Sequence, residues 1–61
     1  TVSEVLKAYR QKNGLTQLES AQRLGVTRQY LNSLENGVLS PGIKLLKKIS
    51  DVTKTPIKDL I

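Results

Sequence analysis

The chain has 61 residues, ten of them Lys or Arg against five Asp or Glu, giving a net charge of +5 and a pI near 9.9. That length is one domain, 1–61, with a thin core that buries only about 60% of the surface its unfolded chain exposes. With no Cys and no His, a disulfide framework and a thiolate or imidazole metal site are excluded, five scattered carboxylates make a poor metal site, and no cofactor is expected.

Apolar residues, mostly Leu, Ile and Val, recur at three- and four-residue spacings without strict alternation, which predicts an all-α bundle of five short helices. The first runs from about Val2 to Asn13, with Val2, Val5, Leu6 and Tyr9 on one face. Thr1 and Glu4 have capping-box spacing, and Gly14 stands past the end. The second opens at Thr16, with Glu19 three residues on, and stops at Gly25. The third opens at Thr27, with Val26 and Leu31 spaced as a hydrophobic staple, and stops near Asn36-Gly37. Ser40-Pro41 predicts the fourth, Ser as cap and Pro as first helical residue, with Leu45, Leu46, Ile49 and Val52 inward. Thr55-Pro56 repeats that signal for a fifth helix carrying Ile57, Leu60 and Ile61. Helices this short are poorly stable alone, so tertiary packing must hold them.

Residues 16 to about 36 form a helix-turn-helix unit: two helices of about eight residues around Gly25-Val26-Thr27. Small Ala21 admits a close crossing, Gly25 suits a left-handed turn, and Leu24, Leu31 and Leu34 clamp the pair to the body. The third helix then presents an almost wholly polar outer face of Arg28, Gln29, Asn32 and Ser33. Arg matches guanine edges in the major groove, and Gln or Asn matches adenine edges. Together with the positive field, which favours a polyanion, this pattern points to double-stranded DNA.

The chain resembles the helix-turn-helix domains of the lambdoid phage repressors and Cro. The resemblance lies in Gln17, Ala21, Gly25, Leu31 and Leu34, in Arg10 and the run Glu35-Asn36-Gly37, and in Pro41, Leu45-Leu46-Ile49 and Thr55 to Leu60; it covers nearly the whole chain. It implies a transcription regulator, usually a repressor, acting as a homodimer on an inverted-repeat operator. Base contacts are implied for Arg28, Gln29 and Ser33, and Asn32 lies one turn from Gln29. Phosphate contacts are implied for Thr16, Gln17 and Asn36, with Arg10, Tyr30 and Lys44 as further candidates. Arg10 and Glu35 resemble an ion pair between the first and third helices, and Ile57, Leu60 and Ile61 a dimer contact.

Three departures from the family pattern stand out. Position 20, usually a core aliphatic, is Ser, and Leu18 stands where a polar residue is common; either the second helix is rotated or Leu18 faces a partner. The loop from Gly37 to Pro41 carries Val38-Leu39 in place of Lys or Arg. Thr53 and Thr55 replace aliphatics, which predicts a looser junction before the last helix.

A rival from another class is a protein-interaction module, an antitoxin or adaptor, served by Leu18, Val38 and Leu39. A membrane-surface peptide fits less well, because the helices are short, separately capped and without aromatic anchors. There is no run of about 18 apolar residues and no signal-peptide pattern, so a cytoplasmic, nucleoid-associated protein is expected. Without His, Cys or a Gly-rich phosphate loop, no enzyme activity is expected.

Overall fold

Thr1 begins the first helix as expected from its spacing to Glu4: the two side chains close a capping box, and α1 spans Val2–Lys12. The computed structural model describes all residues 1–61. The second capping box, Thr16 with Glu19, opens α2 (Gln17–Leu24), which ends where Gly25 turns left-handed at φ 72°. The Thr27 hydroxyl accepts from the Tyr30 N–H at 3.1 Å and opens α3 (Arg28–Glu35), closed by Asn36. The fourth helix, α4, spans Ile43–Thr53.

Two of the five expected helices differ from the sequence reading. Ser40 and Pro41 do not start α4. Gly42 is the cap residue, and the first helical bond runs from the Leu46 N–H to the Gly42 carbonyl at 2.9 Å. The chain must cross from the end of α3 to the start of α4, and extended backbone covers about twice the distance per residue that a helix does. Residues 40–42 are spent on that crossing, and Pro41 biases Ser40 towards the extended region. The fifth helix is a single 3₁₀ turn, Ile57–Asp59, with Pro56 before it. Its bonds, Asp59 N–H to Pro56 at 2.9 Å and Leu60 N–H to Ile57 at 2.8 Å, carry Leu60 into the core. The architecture is therefore four α-helices and a terminal 3₁₀ turn.

Both α1 and α2 pack on α3 and on α4, and the 3₁₀ turn packs on α4. Val2, Leu6, Ala21, Leu24, Leu31, Leu34, Ile49 and Leu60 form one core, with Val5, Val26, Leu45, Leu46 and Val52 packed around it. Every element except the 3₁₀ turn itself supplies a buried apolar residue, and Leu60 supplies one directly after that turn. Of the two alternatives for α2, burial excludes rotation. Ser20 fills the core position completely buried, its hydroxyl without a partner, while Leu18 is 51% exposed. The junction after α4 is tied by hydroxyls rather than loosened. Thr53 Oγ1 donates to the Ile49 carbonyl at 2.7 Å, and Ser50 Oγ donates to the Thr55 carbonyl at 2.6 Å.

Candidate nucleic-acid interface

The candidate surface is made by burying one side of α3 and leaving the other in water. Leu31 and Leu34 are sealed in the core and Glu35 is buried; Arg28, Gln29, Tyr30 and Asn32 are exposed and Ser33 half-buried. In an eight-residue helix that division leaves one polar stripe free for a groove. Completely buried Ala21 lets α3 lie close against α2.

An ion pair fixes the angle of this stripe to the body. Arg10 Nε and Nη2 donate to Glu35 Oε2 and Oε1, both at 3.0 Å. The Arg10 side chain is 24% exposed and that of Glu35 only 2%. A two-pronged bond of this kind sets direction as well as distance. The Glu35 carboxylate holds the Arg10 guanidinium above its ordinary pKa, chiefly through these hydrogen bonds. Ser3 Oγ donates to the Glu35 carbonyl, so α1 grips the end of α3 at a second point.

Gln17 extends the network. Its Nε2 donates to Asn32 Oδ1 at 3.1 Å and to Glu35 Oε1 at 3.4 Å. Both amide protons of Gln17, expected at a phosphate, are directed at Asn32 and Glu35. The free main-chain N–H groups at the start of α2 are what this end offers an anion. Thr16 Oγ1 accepts from the Glu19 N–H at 3.1 Å. The Thr16 main-chain N–H and then its hydroxyl hold the Glu19 carboxyl below the ordinary carboxylate range.

The remaining candidates flank the stripe. Exposed Lys44, in the first turn of α4, lines a shallow groove of about 560 Å³ together with Thr27, Tyr30, Val26 and Leu45, beside the start of α3. Asn36 is exposed at the other end of α3. Of the three residues expected at a dimer contact, Leu60 is corrected to a core residue: it is 3% exposed, because the 3₁₀ turn folds it under α4. Ile57 is half-buried and Ile61 is 85% exposed. Ile61 borders a second groove of about 490 Å³ with Val2, Leu34, Leu39, Pro41 and Leu46.

Sequence reasoning missed the bond from Gln17 to Asn32 and the anchor from Ser3. These residues lie 15 and 32 positions from their partners, and no local spacing signals either contact. It also missed the bond from Arg23 Nη1 to the Tyr9 hydroxyl at 2.9 Å, which joins α2 to α1. No group of three or more acidic residues is placed to hold a metal ion. No helix is long and apolar enough to cross a membrane.

The chain matches the helix-turn-helix family model over residues 6–60. It is 40% identical over 55 residues to an uncharacterized HTH-type transcriptional regulator of Archaeoglobus fulgidus, covering 90% of this chain and 78% of that protein. It is 31% identical over 61 residues to the HTH-type transcriptional regulator SinR of Bacillus subtilis, covering 98% of this chain and 55% of SinR. It is also 39% identical over 46 residues to the ImmF control region 10 kDa protein of Bacillus phage phi105, covering 75% of this chain and 51% of that protein. No solved structure matches it significantly. The family match, the relatives and the capped helix pair with its outward polar stripe agree: the chain belongs to the helix-turn-helix family of DNA-binding transcriptional regulators, of the Cro and phage-repressor kind.

Proposed function

We propose that the protein is a repressor that binds an inverted-repeat duplex site as a homodimer, in the cytoplasm and on the nucleoid. Two copies lay α3 in successive major grooves, about 34 Å apart, and block a promoter. Arg28 and Gln29 supply most of the base choice, with Ser33 and Asn32 beside them. Phosphates are met by the Thr16 hydroxyl, the main-chain N–H of Gln17, Tyr30, Lys44 and Asn36, while Arg10 acts through its hold on Glu35. The observation that carries the proposal is the exposed Arg28, Gln29 and Asn32 stripe on a helix whose opposite side is sealed in the core. For the dimer contact the supporting feature is the groove bordered by Leu39 and exposed Ile61.

The test is selection of a random duplex library at about physiological salt, where specific and charge-driven binding separate. A two-fold symmetric motif is expected. Arg28→Ala and Gln29→Ala should each weaken binding to it by about 1–3 kcal/mol. A flat library, with binding that disappears as salt rises, would sink the proposal.

Exposed Leu18, on α2, favours a second reading in which a protein partner docks on α2. In that case Leu18→Lys abolishes partner capture and leaves DNA selection unchanged.

A further inference from the structure

The cations of the chain are not gathered on the α3 stripe. Arg10 is committed to Glu35, and Lys44 stands in the first turn of α4, beside the start of α3. Lys54 caps the other end of α4, about 15 Å away along the helix axis. There it lines a cleft of about 540 Å³ between α1 and α4, together with Lys12. Tyr9, also in the lining, accepts a hydrogen bond from Arg23 at 2.9 Å, which brings a third cation to the same place. None of these three cations forms a salt bridge, and no carboxylate and no residue of α3 lines the cleft. Its apolar lining is Val5, Ala8, Val52 and the Tyr9 ring. Lys54 is the one non-glycine residue with a positive φ, 57°, so a lysine is presented where glycine would be less strained.

We propose that the cleft between α1 and α4 is a docking site for an acidic peptide segment of a partner protein. One aliphatic side chain packs against Val5 and Val52, and carboxylates on either side of it meet Lys12, Lys54 and Arg23. Charge complementarity selects this occupant: three cations without a counter-charge attract carboxylates, and the apolar lining calls for an apolar side chain, which a phosphate backbone does not supply. The volume lies within the range of about 300–1,000 Å³ usual for binding clefts. The lining contains none of the residues proposed to meet DNA, so the site does not depend on the reading of α3.

The experiment is selection of a displayed library of short random peptides on the purified protein at about physiological salt, where weak charge-driven contact is screened. The enriched peptides are then synthesised and titrated by fluorescence anisotropy. Sequences with Asp or Glu on both sides of a Leu, Ile or Val are expected. Two double variants, each lacking two positive charges, separate the sites: Lys12→Gln with Lys54→Gly, and Arg28→Gln with Lys44→Gln. The first should weaken peptide binding about fivefold and the second by less than about twofold. Lys54→Gly also relieves the left-handed strain, so a thermal melt should show the first variant folded and its lost affinity local to the cleft. Equal weakening in both variants would mean attraction to the overall positive field. Weakening confined to the second would put the peptides on the α3 side as mimics of phosphate. Enrichment of uncharged peptides, or no enrichment, would leave the cleft without this partner. Any of these results overturns the inference.

Discussion

Replacing Ser20 by Ala should make the protein more stable, although most substitutions at a fully buried position do the opposite. Ser20 is 0% exposed and its hydroxyl has no hydrogen-bond partner. Burying a hydroxyl without a partner costs about 1–3 kcal/mol on mutational scales. Removing one oxygen leaves little cavity, so relief of about 1 kcal/mol is a fair lower figure. Ala also gains about 0.5 kcal/mol over Ser in a helix interior. Ser50→Ala is the matched control: the same change in α4, where Ser50 Oγ donates to the Thr55 carbonyl at 2.6 Å. There the same propensity gain is set against about 1 kcal/mol of lost hydrogen bond. The two variants should therefore differ by about 2 kcal/mol, the propensity gain cancelling. For a domain of this size each kcal/mol moves Tm by about 4–8 °C. Thermal melts followed by circular dichroism, with urea titrations to check that m is unchanged, measure this directly. Equal melting temperatures for the two variants, or a Ser20→Ala variant below the wild type, would refute the premise that the Ser20 hydroxyl is unpaired.

Three further outcomes follow from the same contacts. Arg10→Met leaves the buried Glu35 carboxylate without its ion partner, a loss of about 3–5 kcal/mol; the total stability expected for this length is about 3–9 kcal/mol. Urea unfolding should show a severely weakened domain, and the double change Arg10→Met with Glu35→Leu should recover much of the loss. Gly25→Ala should cost about 1–2 kcal/mol from backbone strain at φ +72°; no atom lies within 4 Å of the added methyl, so the drop in Tm is conformational rather than steric. Glu19, whose folded pKa lies below its ordinary value near 4.5, contributes stability that is present above that value and lost as pH falls through the lowered one. Glu19→Gln keeps the capping geometry and removes the charge, so melts between pH 3 and 6, about one and a half units on either side of that value, should show a shallower acid limb than the wild type.

The first three helices were legible because their signals are local. Thr1 with Glu4 and Thr16 with Glu19 cap through side chains three residues away, and Gly25 meets the turn's need for a positive φ by having no Cβ. The polar stripe of α3 was legible because a helix of known phase sends Leu31 and Leu34 inward and Arg28 and Gln29 outward. Ser40-Pro41 misled for the opposite reason: it is a valid local start signal, but the span from α3 to α4 required extended backbone there.

The helical class, the unit from Thr16 to Asn36 and the stripe proposed to read DNA are written in local residue patterns, since each depends on neighbours within about four residues. Helix packing settles that Ser20 keeps its hydroxyl unpaired in the core, that Leu60 is folded under α4, and that Gln17 links Glu35 to Asn32. Those outcomes depend on which donor meets which acceptor across helices, and such pairings exist only once packing has brought distant residues within about 3 Å of each other.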